Sequence, residues 1–221
     1  IHRRGYEVDL RNPQAQFRLI LTGDFAVFGR VLAAIERGKF EGRKPQLKPF
    51  FHPGVLMPHI ARALVNISGI RSEELLLDPF CGAGGILVEA GFTGATVIGS
   101  DFQSRMVRGA KLNLDFYGAE YFLMAGDACD LPLKSKCIDA IVTDPPYGRS
   151  ARVGARDIED LYRRSLLEMH RVLKRGKIAI VVSQRSIESL AEGAGFEILE
   201  VIRQRVHRSL TRHVWILRKR G

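Results

Sequence analysis

Two periods of apolar residues take turns along this chain from Phe50 onward. The stretch VLMPHIARALVNIS (55–68) spaces its apolar residues at the helical period. It carries Pro58 near its start, where a missing backbone N–H costs nothing. LLLD (75–78) reads as a short buried strand, followed by a glycine-rich turn and the helical ILVEAG (86–91). ATVIGSD (95–101), FLMAGD (122–127), IDAIVTD (138–144) and KIAIVVS (177–183) read as further strands. Between them the pattern predicts helices over Gln103–Phe116, Ile158–Leu173 and Ile187–Ala194. Two long strand-like runs, 196–207 and 213–219, follow with a short polar link, Arg208–Arg212. Strand–helix alternation implies a parallel sheet with helices on both faces. The closing pair of runs implies an antiparallel hairpin on the sheet edge. The expectation is an α/β, Rossmann-like domain whose seven-stranded sheet is mostly parallel.

The first fifty residues follow another pattern. YEVDL (6–10) alternates like a strand, a turn is expected at Asn12-Pro13, and AQFRLIL (15–21) reads as a second strand. These strands have no helix of their own to pack on. Residues 1–22 are therefore read as the tail of an upstream domain, 23–49 as a connector and 50–221 as the α/β domain. The connector holds an apolar run, Phe25–Ile35, and a basic loop, Arg43-Lys44-Pro45. The first residue is Ile1, so the chain is expected to be a piece of a longer or processed protein.

Charge narrows the choice of partner. The formal net charge is +10, which favours a polyanion such as nucleic acid. The three cysteines form no Cys-x-x-Cys pair and no histidine–cysteine cluster has zinc spacing. A reduced cytoplasmic setting is expected, with no structural metal. No apolar run reaches membrane-spanning length and no signal peptide is visible, so no membrane partner is expected. The protein is expected to be a monomer.

Candidate chemistry gathers at the strand ends. In DPFCGAGG (78–85), Gly82, Gly84 and Gly85 allow a tight turn and close backbone approach to a ligand, with Cys81 as a small residue in that turn. Asp101 ends the next strand about twenty residues on, where an acid accepts both hydroxyls of a ribose. Asp127, followed by Ala128, ends the third strand and suits an adenine edge; Asp78 suits the amino-acid part of a cofactor. His52, beside Pro53-Gly54, is placed near the same pocket. Any one of these acids could be a helix cap, but four strands end in step on Asp78, Asp101, Asp127 and Asp144. The turn lacks G-x-G-x-x-G spacing, and an aspartate at its start would repel a pyrophosphate. A positive sulfonium suits an acid-ringed pocket better, so the expected cofactor is S-adenosylmethionine.

TDPPYGRS (143–150) closes the fourth strand, because two prolines cannot extend a ladder. An exocyclic amino group on a base is a poor nucleophile, its lone pair being delocalised into the ring. The Asp144 carboxylate and the Pro145 carbonyl can grip its protons. Pro146 restricts Pro145 to extended conformations. Tyr147 can stack on the base and hold the nitrogen in line with the methyl group.

With these motifs the chain resembles the amino-methyltransferases of class I. More narrowly it is similar to the archaeal tRNA guanosine-10 N2-methyltransferases. The resemblance is carried by DPFCGAGG, DPPYGRS (144–150), FFHPGVLMPHIARALVN (50–66) and HRSLTR (207–212), and extends from about Arg43 onward. It implies transfer of one or two methyl groups to the guanine amino nitrogen at position 10 of tRNA. It also implies an N-terminal RNA-binding THUMP domain, of which residues 1–22 would be the last strands. Ala83 stands where the family usually has Thr; the contact is through backbone, so cofactor binding is expected to persist.

A base inside folded tRNA must be extruded to reach Tyr147. Arg149, Arg152 and Arg156 follow the motif. Arg203, Arg205, Arg208, Arg212, Arg218, Lys219 and Arg220 face one acid, Glu200, over the last stretch. Of these, Arg149, Arg152, Arg205, Arg208 and Arg212 are the candidate RNA contacts. His207 is placed near substrate, His59 and His170 are read as structural, and Trp215 and Phe80 as core. The enzymatic rivals act on rRNA, DNA or a protein glutamine, although a DNA enzyme's target-recognition insert has no room here. The rival of another class is a non-catalytic RNA-binding protein with this fold.

Overall fold

The computed structural model describes residues 5, 7–36, 38–147, 155–207 and 210–220, the side chains of 155–157 and 207 excepted. The chain divides into two compact units, Ile1–Glu41 and Gly42–Gly221.

In the first unit, β1 (Phe17–Thr22) and β2 (Phe25–Arg30) form an antiparallel hairpin. Phe17 stacks on Phe28 with ring centroids 5.6 Å apart. A short helix, α1 (Gly38–Glu41), follows. The strand expected over YEVDL does not form: residues 7–9 carry no regular structure. The Asp9 carboxylate instead accepts the backbone N–H groups of Arg11 (2.8 Å) and Asn12 (3.0 Å), a local turn that competes with strand pairing.

The second unit is the expected α/β layer structure. Its elements are α2 (Pro58–Ile67), β3 (Leu75–Asp78), α3 (Gly85–Gly91), β4 (Thr96–Asp101), α4 (Ser104–Tyr117), β5 (Tyr121–Ala125), β6 (Ile138–Thr143), α5 (Ala155–Val172), β7 (Leu173–Ser183), α6 (Glu188–Gly193), β8 (Phe196–His207) and β9 (Leu210–Lys219). The seven strands run in the order β5-β4-β3-β6-β7-β9-β8. β3 to β7 pair in parallel, while β9 pairs antiparallel with both β7 and β8.

Successive strand residues enter opposite cores, the consequence of a two-residue period. Leu76, Val142, Ile180 and Val182 pack with Ala61, Leu64 and Val65 of α2, with α3 and with α4. Leu77, Ile141, Ala179 and Val181 pack with α5 and α6 on the other face. α5 supplies Ile158, Tyr162, Leu166, Met169 and Val172, spaced at three to four residues. Trp215 is core, as expected, at 4% exposure. His170 packs edge-on against Phe196, in keeping with its structural reading.

β7 starts at Leu173, ahead of the expected Lys177, because α5 runs into it directly. Two polar residues at its start are paired: Lys174 Nζ lies 2.8 Å and Lys177 Nζ 3.5 Å from Asp139 Oδ1. β9 likewise begins at Leu210, ahead of the expected residue 213.

Candidate active site

The carboxyl ends of β3, β4, β5 and β6 converge on one cleft of about 670 Å³. This is where an open parallel sheet binds ligands. Its lining includes Asp78, Cys81, Gly82, Asp101, Asp127, Ala128 and His52, which are seven of the eight predicted cofactor residues, together with Asp144 and Pro146. Gly84 is the exception. It caps α3 in the left-handed conformation (φ 76°), and a Cβ there would meet the Ala110 Cβ at 3.2 Å. Its role is the close approach of the turn to α4. Gly82 is also left-handed, at φ 50°, and does line the cleft.

The acids are held differently from one another. Asp101 Oδ2 accepts the Gly82 N–H (3.0 Å) and Oδ1 accepts the Gln103 N–H (2.9 Å). A carboxylate offers about four acceptor sites, so two remain for a ligand's hydroxyls. Asp127 Oδ1 accepts the Cys129 N–H at 2.9 Å. Asp78 is buried; its Oδ1 accepts the Thr143 hydroxyl (2.6 Å) and the Phe80 N–H (3.1 Å). Burial pushes its carboxyl up to about 7, against the pull of those two donors. The Cys81 thiol is buried and pushed up by that burial, with Asp78 and Asp101 adding to it, so it stays protonated. That fits a small space-filling residue.

Asp144 follows β6. Its Oδ1 accepts the Tyr147 hydroxyl, which in turn accepts from Arg212 Nε at 3.2 Å. Burial raises the Asp144 carboxyl to about 6, with the Tyr147 hydroxyl and the Arg212 charge opposing. Tyr147 is itself pushed up, first by burial and then by Asp144, so it remains a phenol and donates. Pro145 is buried and outside the cleft lining, whereas Pro146 is in it.

Three features escaped the sequence reading. Phe102, directly after Asp101, lines the cleft with 83% exposure; its only signal was an aromatic after a strand-end acid. Phe80 was read as core, yet it is half-buried and faces the cleft as well as the core. Asn113 is fully buried on α4. It donates to the Phe50 carbonyl (2.9 Å) and the Ala83 carbonyl (2.8 Å) and accepts the Phe50 N–H (2.9 Å). It thus ties the segment leading to His52 onto the glycine turn. Its signal was an amide on the apolar stripe of a helix, beside Ala110 and Leu114.

Of the predicted RNA contacts, Arg205 is exposed on β8 and Arg212 reaches Tyr147. Arg149, Arg152 and Arg208 lie outside the described residues, as do the side chains of Arg156 and His207. Among the described residues no group of three or more His, Cys, Asp or Glu could hold a metal ion. None of their helices is long and apolar enough to cross a membrane.

Comparison with known proteins adds the family. The profile described as "UPF0020: RMKL-like, methyltransferase domain" matches residues 45–214. The tRNA (guanine(10)-N2)-dimethyltransferase of Methanothermobacter thermautotrophicus is 41% identical over 97% of this chain, which covers 64% of that protein. The protein of the same description from Pyrococcus abyssi is 38% identical over 100% of this chain, which covers 67% of it. The chain therefore spans about two thirds of the length of these curated relatives. The crystal structure of TrmN from Thermus thermophilus shares the fold, with a TM-score of 0.66 at 24% identity over 99% of this chain and 64% of that one.

Proposed function

This chain belongs to the family of RMKL-like methyltransferase domains that includes the archaeal tRNA (guanine(10)-N2)-dimethyltransferases, and on that premise we propose that it methylates the N2 amino group of guanosine 10 in tRNA. The donor is S-adenosylmethionine, and one methyl group is followed by a second. The observation that carries this reading is the position of Asp144, in the wall of the same cleft as Asp78, Asp101 and Asp127.

The cleft fits the cofactor through its carboxylates, which suit a cationic ligand without phosphate. When bound, S-adenosylmethionine supplies a methyl group on a positively charged sulfur. Asp101 takes the ribose hydroxyls on its two remaining acceptor sites. Asp127 and the Ala128 backbone read the adenine edge, and the Phe102 ring offers the purine a flat apolar surface. Asp78 faces the amino-acid part, and His52 stands at the rim.

At the other end, Asp144 accepts a hydrogen bond from the guanine amino group and so localises the nitrogen lone pair. The Pro145 carbonyl is the second acceptor, and Tyr147 positions the base. With S-adenosylmethionine as the methyl donor, Asp144 or water would take the amino proton that the methylated nitrogen releases. Arg205 and Arg212, with the neighbouring basic residues of the hairpin, track the phosphates around the target.

The test is transfer of labelled methyl from S-adenosylmethionine to unmodified tRNA, with the product nucleoside identified. N2-methylated guanosine, lost when guanosine 10 is replaced, is the expected result. Label in another nucleoside would overturn the substrate. Absence of label despite measurable cofactor binding would overturn the activity.

A further inference from the structure

A second cavity, of about 190 Å³, lies over the carboxyl end of β7, next to β6 in the sheet. Tyr147 and Tyr162 line it together with Ser183, Gln184, Arg185 and Ile187. Tyr147 joins it to the cofactor cleft, since its hydroxyl donates to Asp144 and Asp144 lines that cleft. Tyr162 sits close enough to Asp144 for that carboxylate to raise its hydroxyl, after burial, while Arg185 opposes. The cavity and the cleft therefore meet at the Tyr147–Asp144 hydrogen bond.

The turn that builds the cavity is fixed. The Ser183 hydroxyl is buried, accepts Trp215 Nε1–H at 2.8 Å and donates to the Arg185 carbonyl at 2.5 Å. Trp215 is itself core, so the path Ser183–Arg185 is tied to the rigid part of the sheet. Gln184 lies between the two tied residues. It is half-buried, and its amide makes no hydrogen bond among the described residues.

We infer that this second cavity holds the target base and that Gln184 is its specificity-determining residue, reading the N1–H and O6 of guanine. The inference rests on the amino-methylation proposed above. A carboxamide offers one acceptor and one donor side by side, and the lactam edge of guanine offers one donor and one acceptor in the complementary order. With the N2 amino group given to Asp144, N1–H is the next group along that edge and O6 the one after. Adenine with its amino group at Asp144 presents an N1 acceptor beside a C2–H, which satisfies only half of the amide. A site that hydrogen-bonds a substrate group rejects the analogue lacking it, because its own polar group is then left unpaired.

The experiment uses the full chain, S-adenosylmethionine and two tRNA transcripts, one with guanosine and one with 2-aminopurine at the target position. 2-Aminopurine keeps the amino group but lacks O6 and the N1 proton. The native protein should prefer guanosine by about 10- to 100-fold in kcat/KM, the size of one bidentate base contact. Gln184→Ala and Gln184→Leu, which carry neither donor nor acceptor, should bring that preference close to unity, chiefly through KM for guanosine RNA, while the cofactor Kd stays as in the native protein. A native-like guanosine preference in both variants would overturn the inference and leave the proposed activity standing. Transfer to neither transcript by the native protein would overturn the activity and the inference with it.

Discussion

Two carboxylates on the cofactor side of this site and the one on its acceptor side are held by different means. Asp101 and Asp127 are gripped by backbone N–H groups of the turns that follow their own strands, and Asp101 also by the glycine turn across from it. Those donors are part of the fold and cannot turn away. Asp144 is gripped by the Tyr147 side chain, which is gripped in turn by Arg212 from the distant β9. A carboxylate held by backbone is preorganised for one ligand. A carboxylate held by a phenol can exchange that donor for an amino proton of the substrate. The first arrangement suits a cofactor that is the same in every turnover. The second suits a group that must be taken up, altered and released.

The largest effect expected from breaking this contrast is at Asp144. Asp144→Ala should lower methyl transfer by about 10²- to 10⁴-fold, the range of a positioned proton acceptor, and leave the cofactor Kd near the native value. Titration calorimetry with S-adenosylmethionine beside a transfer assay separates the two. Loss of cofactor binding in this variant would move Asp144 to the cofactor side. The native pH profile carries the same signature. The carboxyl is raised to about 6, so it is an acceptor above that pH and is protonated below it. kcat should therefore fall as pH drops through about 6 and level off above 7.

Asp101→Ala comes next and acts on the opposite quantity. It removes the acceptor for the cofactor's hydroxyls and also frees the Gly82 and Gln103 N–H groups. Hydrogen bonds to a charged group are worth about 1.5–3 kcal/mol, so the cofactor Kd should rise by about 10- to 100-fold. kcat at saturating cofactor should change little. An unchanged Kd would mean that the backbone cage, rather than the carboxylate, carries the affinity.

The sequence made the sheet legible because its strand ends repeat one signal. LLLD, ATVIGSD and IDAIVTD each run from apolar residues into an aspartate; β3 and β4 end on theirs and β6 ends one residue before Asp144. On the cofactor side Asp101 and Asp127 each hold the turn after their own strand, contacts local enough to be read from sequence, whereas Asp78 also reaches Thr143 on β6. What sequence did not show depends on contacts far apart in the chain. Arg212 meets Tyr147 across 65 residues, and Asn113 meets Phe50 across 63. Gln184 had no motif at all: its turn becomes part of the site only because β7 is laid beside β6. The false strand at YEVDL failed for a local reason, the Asp9 side chain outcompeting a ladder.

A gentler probe of the cofactor side is its own pH dependence. Asp78 is raised to about 7 by burial, with Asp144 and Asp101 nearby adding to the shift. Only the ionised form attracts the cofactor's ammonium. The Kd for S-adenosylmethionine should therefore rise as pH falls from 8 to 6, by at most about tenfold per pH unit once Asp78 is protonated. Asp78→Asn should flatten that slope and fix the Kd at the weaker value. A slope that persists in Asp78→Asn would assign the titration to another group.

The smallest effect, and the one that bears most directly on the exchangeable donor, is expected from Tyr147→Phe. The ring stays, so its packing against the core is kept, and only the hydroxyl between Asp144 and Arg212 is lost. That hydroxyl lowers the Asp144 carboxyl against the effect of burial. Without it the carboxyl must move further up, so the acid limb of the kcat profile should shift to higher pH. At pH above the shifted limb the rate should differ from native by only a few-fold, because the substrate's amino group replaces the phenol as donor in the reacting complex. A shift of the limb with a retained plateau supports an exchangeable donor at Asp144. A collapsed plateau with an unmoved limb would make the phenol a permanent partner in the reaction. The contrast between a backbone-held and a side-chain-held carboxylate would then lose its functional meaning.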